Sequence, residues 1–253
     1  MNVRTIAFGT LERAVFDHPT LIISDLHMNT SGKHNNFQAD LFLAFLGAYP
    51  ASTWDIIDLG DHWDVWESGS LHRVISANVA VEAALSRFHR IVTLGNHDGN
   101  IDQGDIDRWL ALSVVTHLAD KDNYWLEHGH RLDPACSGKG RWVGRVASAL
   151  WGAVERVGLG RVLGGIAAWV KRVYYRGRKT AAKRKDDNEE YITDAIGREC
   201  VLSATGHTHS PELLELPGQP GHYYANPGSW VEYGRGYALK IIGKEIKLLV
   251  ITA

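Results

Sequence analysis

Five short apolar runs, each closing on a polar motif, constrain this chain more than any other feature. Thr20–Ser24 leads into Asp25-Leu26-His27, and Asp55–Leu59 into Gly60-Asp61. Arg90–Leu94 leads into Gly95-Asn96-His97-Asp98, Tyr124–Glu127 into His128-Gly129-His130, and Cys200–Thr205 into Gly206-His207-Thr208-His209. The runs have strand length, carry β-branched residues in most cases, and are bounded by Gly or polar residues. Helical patterns lie between them, at Gln38–Tyr49, Leu71–Arg87 and Asp105–Leu112. In the second, Val74, Asn78, Val81, Leu85 and Phe88 fall on one stripe with Asn78 as its polar interruption. Strands alternating with helices predict an α/β layered fold. In such sheets the carboxyl ends of the strands open on a common crevice. Motifs spanning 185 positions, from 25 to 209, can therefore meet. The end of the chain changes character. Tyr223–Asn226, Gly236–Ile242 and Glu245–Ile251 read as strands, with Gly243-Lys244 as a hairpin turn. A mixed sheet, or two packed sheets with an antiparallel C-terminal part, is expected.

Together the motifs supply two carboxylates (Asp25, Asp61), one carboxamide (Asn96) and four imidazoles (His27, His128, His207, His209). Seven such donors suit two adjacent divalent metals. Asp25 with His27, and His207 with His209, stand two residues apart, so in extended backbone each pair points one way. Mixed imidazole, carboxylate and amide ligation fits Mn, with Fe and Zn as alternatives, better than Ca or Mg. Two such ions ~3.5–4 Å apart can clamp a phosphoryl oxygen and turn a bridging water into a hydroxide nucleophile. His97, beside Asn96, is the candidate proton donor to the leaving group, with Asp98 placed to orient its ring. One Asp-x-His or Gly-Asp occurs often by chance; the ordered set of five does not.

This ordered set resembles the calcineurin-like metallophosphoesterase superfamily over residues 20 to about 230. The resemblance implies one ion on Asp25, His27, Asp61 and His209. It implies a second on Asp61, Asn96, His128 and His207, with Asp61 as the bridge. It also implies a four-layer αββα arrangement, a two-sheet β-sandwich flanked by helices, in a single domain over 1–253. His128 matches the superfamily's histidine before glycine. His130 reads equally as a substrate-side group or a polar loop residue, and Asn226-Pro227-Gly228-Ser229 as a turn.

Charge is segregated along the chain. From Lys139 to Lys185 there are 13 Lys and Arg against one acid, Glu155, while the rest holds 14 basic and 28 acidic residues. The basic block lies within the 78 positions between His128 and His207, more than a crossover needs. Trp142, Val146, Leu150, Ala153 and Val157 form one apolar stripe there, and Val162, Ile166, Trp169 and Val173 another, separated by Gly158-Leu159-Gly160. A helical cap insertion over about 136–196 is expected, with a charged helix through Glu189-Glu190-Tyr191-Ile192. Three readings fit its basic, Trp-bearing surface: packing on the core or a dimer partner, contact with an anionic membrane, or a nucleic-acid surface. An insertion at this place resembles the UDP-2,3-diacylglucosamine hydrolase branch of the superfamily. That implies an amphiphilic pyrophosphate substrate, although His97 stands where the best-known members carry arginine. A nucleotide or nucleic-acid phosphodiesterase is the enzymatic alternative, and a non-catalytic interaction module the other. Two cysteines form no disulfide framework, and neither a signal peptide nor a membrane span is recognisable. These features predict a cytoplasmic protein, peripheral on the inner face of the membrane under the second reading. Trp63, Asp64 and Trp66 read either as the pocket mouth or as ordinary helix-start packing.

Overall fold

The computed structural model describes residues 1–30, 36–99, 101, 113–120, 122–133, 136 and 188–253. Two sheets carry the fold. The first has seven strands, β1 (Asn2–Thr10), β2 (Thr20–Ile23), β3 (Asp55–Asp58), β4 (His89–Thr93), β5 (Ser113–Val115), β11 (Arg235–Ile242) and β12 (Glu245–Thr252), in the order β1-β12-β11-β2-β3-β4-β5. The second has five, β6 (His117–Asp120), β7 (Tyr124–Glu127), β8 (Leu202–Thr205), β9 (Glu212–Glu215) and β10 (Tyr223–Asn226), in the order β6-β7-β8-β10-β9. β2 through β5 run parallel, as do β7, β8 and β10; the flanking pairs are antiparallel. Both sheets are mixed, as the change of character near the C-terminus predicts.

Strand periodicity explains the layering. Ile22, Ile57, Leu239 and Ile241 face the second sheet, where they meet Leu126, Leu202, Ala204 and Tyr223. Their neighbours Leu21, Ile23, Ile56 and Ala238 point the other way, into a core with Phe42, Phe45, Val81 and Trp230. Successive side chains of a strand alternate between faces, so a strand covered on both sides must be apolar throughout. Thr20–Ile23 is accordingly buried at every position. Phe42, Phe45 and Val81 come from α1 (Ala39–Leu46) and α4 (Val79–Leu85), which cover the outer face of the first sheet. On the outer face of the second, Tyr224 meets Tyr191 and Ala195 of α5 (Glu189–Arg198). The order is helix, sheet, sheet, helix, the four-layer sandwich expected.

The stretch 71–87 differs from the single helix expected. It forms α3 (Leu71–Ala77) and α4, broken at Asn78. Asn78 leaves helical geometry (φ −121°, ψ 29°) and its carboxamide donates to the carbonyls of Val74 and Asn29. A short amide side chain that captures backbone carbonyls competes with the helix. The expected helix over 105–112 and the bulk of the cap, 137–187, lie outside the described residues. The charged helix after the cap is α5. Among the described residues, no helix is long and apolar enough to cross a membrane.

Candidate metal centre

The parallel strands set where the motifs go. Asp25, Asp61 and Asn96 follow β2, β3 and β4; His128 and His207 follow β7 and β8. Because these strands run parallel within each sheet, their carboxyl ends share one edge of the sandwich. Backbone bonds tie the loops together: Asp25 N to Gly60 O (3.0 Å), His27 N to Asp61 O (2.8 Å) and Gly206 N to His128 O (3.1 Å). The last joins two loops of the second sheet; the first two join loops of the first.

All seven candidate ligands converge. One donor atom each from Asp25, His27 and His209 lies within 4.8 Å of the others, and so do atoms of Asp61, His128 and His207. His27 Nε2 and His209 Nε2 face each other at 3.1 Å. His128 Nε2 lies 3.2 Å from both Asp61 Oδ2 and Asn96 Oδ1. The same Asp61 Oδ2 is 3.7 Å from His27 Nε2, so one oxygen looks toward both groups.

The convergence has a backbone origin that differs from the expectation. Asp25 (φ 54°), His27 (46°), Asp61 (51°), His207 (67°) and His209 (55°) all occupy the left-handed region. Glu199 is the only other non-glycine residue there among those described. The i, i+2 pairs therefore share a direction through paired left-handed turns, not through extended backbone. Each such residue costs on the order of 1–3 kcal/mol and persists only where its surroundings hold it.

Two glycines are required by close approach. A Cβ on Gly95 would stand 2.1 Å from Asp61 Oδ1, and one on Gly206 2.0 Å from Ser24 Oγ and 2.7 Å from Asp25 Oδ2. These distances explain the glycine before Asn96 and before His207.

Hydrogen bonds fix the donors. His128 Nδ1 lies 2.8 Å from the Leu59 carbonyl. A carbonyl only accepts, so Nδ1 carries hydrogen, which leaves Nε2 as the nitrogen that could ligate a metal. Ser24 Oγ and His207 N donate to Asp25 Oδ2 (2.5 and 3.1 Å). Asp25 Oδ1 is buried and makes no hydrogen bond; His209 Nε2 is 3.1 Å away without the alignment of one. A buried carboxylate oxygen aimed at two facing imidazole nitrogens is the arrangement a cation would satisfy. Burial opposes charge on His128, but the Asp61 carboxylate overrides it and pushes the imidazole up to about 9. Burial likewise opposes charge on Asp25, yet His209 and His27 hold it well below the usual carboxylate range. The residues fit a pair of divalent ions: hard and borderline donors, negative potential, and one shared oxygen.

His97 lies in the same cleft, but its partner is not Asp98. Asp98 is fully buried and accepts from Asp61 N (2.9 Å), Gly95 N (2.7 Å) and Trp63 N (2.8 Å). It splints the loops after β3 and β4, so the expectation that it orients His97 is corrected. Burial, then the charge of Asp61, raises its carboxyl to about 6. Asp64 takes the orienting place, with Oδ1 3.1 Å from His97 Nδ1 and Oδ2 3.9 Å from His27 Nδ1. It also caps α2 (Val65–Ser68) by accepting from Glu67 N. Trp63 is fully buried, and the Trp66 ring lies against His97 at 4.9 Å between centroids. Of this stretch, Asp64 lines the cleft, while Trp63 packs in the core. His130 packs beside His128, with centroids 5.5 Å apart.

Three supporting residues escaped the sequence reading. Asp133 Oδ2 lies 3.0 Å from His207 Nε2. Asn226, in the presumed simple turn, donates to Gly206 O (2.9 Å) and Thr208 Oγ1 (3.0 Å). Ser24 anchors Asp25 as above. Asn226 ends β10, the strand beside β8; the Asn226-Pro227-Gly228-Ser229 motif was its sequence signal.

No family model matches the chain, and no curated protein does. Among solved structures it is similar to a putative 5'-nucleotidase from Staphylococcus aureus, at 13% identity over 93% of this chain and 54% of that one, with a TM-score of 0.47. It is also similar to vacuolar protein sorting 29 from Cryptosporidium parvum, at 14% identity over 93% and 91% of the two chains (TM-score 0.45). An archaeal phosphodiesterase is similar at 14% identity over 90% and 99% (TM-score 0.43).

Proposed function

We propose that this chain is a metal-dependent phosphoesterase of the calcineurin-like superfamily. In this reading Asp25, His27, Asp61 and His209 hold one divalent ion, and Asp61, Asn96, His128 and His207 the other. The observation that carries it is the Asp61 carboxylate, whose Oδ2 lies between His27 and His128 at 3.7 and 3.2 Å. When bound, such a pair supplies Lewis acidity to the phosphoryl oxygens and lowers the pKa of the attacking water.

The chain's own residues do the rest. His97 N donates to Asp61 Oδ1 (2.7 Å), which fixes the carboxylate and places the His97 ring at the cleft in one stroke. The ring is held between His27 at 4.6 Å and Trp66 at 4.9 Å. With Nδ1 bonded to Asp64, Nε2 is the atom that gives a proton to the leaving oxygen. The cleft, about 280 Å³, is also lined by Asn29, Asn36, Glu67 and Val231. Asn29 Nδ2 donates to Glu67 Oε2 (2.6 Å), so polar groups already paired with each other face the substrate. That lining suits a hydroxylated or nucleotide-like leaving group.

The finer substrate reading, an amphiphile such as UDP-2,3-diacylglucosamine, is supported by the basic, Trp-bearing stretch 139–185. Mn2+-stimulated hydrolysis of an aryl phosphodiester, lost in Asp61→Ala, is the expected outcome; no activity above that variant would defeat the proposal. Product analysis on UDP-diacylglucosamine beside cyclic nucleotides and oligonucleotides then decides the substrate. The same basic stretch favours a nucleic-acid phosphodiesterase as the second reading. Salt-sensitive DNA or RNA binding that disappears on deleting 176–185 would select it.

A further inference from the structure

A second group of metal-binding side chains sits against the outer side of His207. Asp133, Cys136 and His207 each offer one donor atom, and the three atoms lie within 4.8 Å of one another. Backbone hydrogen bonds link the described residues after His128. Leu132 N donates to Gly129 O (3.0 Å), Asp133 N to His130 O (3.3 Å) and Cys136 N to Asp133 O (3.0 Å). Consecutive bonds of this kind put Asp133 and Cys136, three residues apart, on one side of the turn. His207 reaches the same point from the loop after β8, its Nε2 3.0 Å from Asp133 Oδ2. All three residues are half-buried, so a dissolved ion can reach them.

We propose that Asp133, Cys136 and Nε2 of His207 form a third metal site, selective for Zn2+, that shares His207 with the catalytic pair. Thiolate, imidazole and carboxylate are a zinc set, with water in the fourth position. The hard ions Mg2+, Ca2+ and Mn2+ discriminate against the thiolate, so an enzyme running on Mn2+ leaves this site to zinc. Coordination replaces the Cys136 S–H bond by S–Zn and the His207 Nε2–H bond by Nε2–Zn, and both protons leave to solvent. An ion there also takes Nε2 of His207 away from Asp133. The imidazole then serves two cations, and its hold on the inner one weakens. Zinc in excess is therefore an inhibitor acting from outside the cleft. The proposal rests on the dinuclear reading only for that last effect.

Cobalt titration tests it, because a thiolate on Co2+ gives a charge-transfer absorption that oxygen and nitrogen donors do not. The wild-type chain and Cys200→Ser should both show the band. Cys136→Ser should lose the band and bind one Zn2+ fewer after dialysis, and Asp133→Asn should shift the titration to higher cobalt. Asp61→Asn should lose ions of the catalytic pair and keep the band. A wild-type chain without the band, or a band that survives in Cys136→Ser, overturns the proposal while leaving the dinuclear reading intact. A band in a chain that binds no further ions supports this site and defeats the dinuclear reading.

Discussion

Gly95→Ala is the sharpest test of how the centre is held. The added Cβ would stand 2.1 Å from Asp61 Oδ1, 2.4 Å from Asp61 N and 2.8 Å from Asp61 Cγ. Ordinary contact begins near 3.4 Å, so the carboxylate must retreat by about 1.3 Å. It cannot swing away alone. Asp61 N is bonded to Asp98, and Asp61 Oδ1 to His97 N. The retreat therefore drags both neighbours. A misplacement of about 1 Å in a reacting constellation costs on the order of 10²-fold in rate. Loss of an orienting partner costs a metal ligand ~10–100-fold in affinity. Gly95 is not in the left-handed region, so alanine adds no backbone strain, only overpacking of ~1–3 kcal/mol. The variant should fold, bind Mn2+ ~10–100-fold more weakly by equilibrium dialysis, and turn over an aryl phosphodiester ~10²-fold more slowly at saturating Mn2+. Unchanged circular dichroism with both constants within threefold of the parent would refute the argument.

The other predictions concern the proton donor, the buried ion network and the cation itself. His97→Ala should slow hydrolysis of alkyl esters by ~10²–10⁴-fold but aryl esters far less, with metal content unchanged, and Asp64→Asn should show the same leaving-group dependence more weakly. Glu82 is buried among Arg90, His62 and Trp63 (contacts of 3.1, 3.1 and 2.7 Å). Burial would raise its carboxyl, but Arg90 and then His62 bring it down to about 2. A depressed carboxylate stabilises the fold above its unfolded pKa near 4.5 and loses that as pH falls toward 2, about 3 kcal/mol in all. Glu82→Gln should thus be less stable by about that amount at pH 6, with the gap closing between pH 4.5 and 2 in denaturant titrations. Mn2+ at 100-fold its Kd should stabilise the native chain by ~2.7 kcal/mol per site, and Asp25→Asn should lose one site's share of the shift in Tm.

The layers and the site were legible to different depths. Runs such as Thr20–Ile23 announce a strand covered on both faces, because burial on both sides leaves no room for alternation. Ligand-bearing motifs are legible because their chemistry is local and their order along the chain is fixed. What holds them is not local. Asp64 is an ordinary helix cap in sequence, and only the folded chain brings it beside His97, 33 positions away. Asp133 meets His207 across 74 positions, and Asn226 reaches Gly206 through the pairing of β10 with β8. Backbone handedness was misjudged for a related reason. Asp and His only tolerate left-handed φ better than most residues; at Asp25 and His27 it accompanies the bonds from Asp25 N to Gly60 O and His27 N to Asp61 O. Asn78 was visible as a polar interruption of its stripe, but its competition for the Val74 carbonyl depends on Asn29, brought alongside by the fold.

The division of donors between the sheets bears on how the protein matures. Asp25, His27, Asp61 and Asn96 belong to the first sheet, and His128, His207 and His209 to the second. Neither of the two proposed half-sites is complete on one sheet, so in that reading an ion would bind fully only after the sheets dock. During synthesis the Asp25 cluster waits for residue 209, 184 positions later. In that reading, metal choice would be deferred to a finished cavity, whose shape can discriminate, and withheld from a nascent chain, where raw affinity would favour copper or zinc. Under the proposed dinuclear reading, ions bound there would act as rivets across the interface, slowing its opening more than its closing.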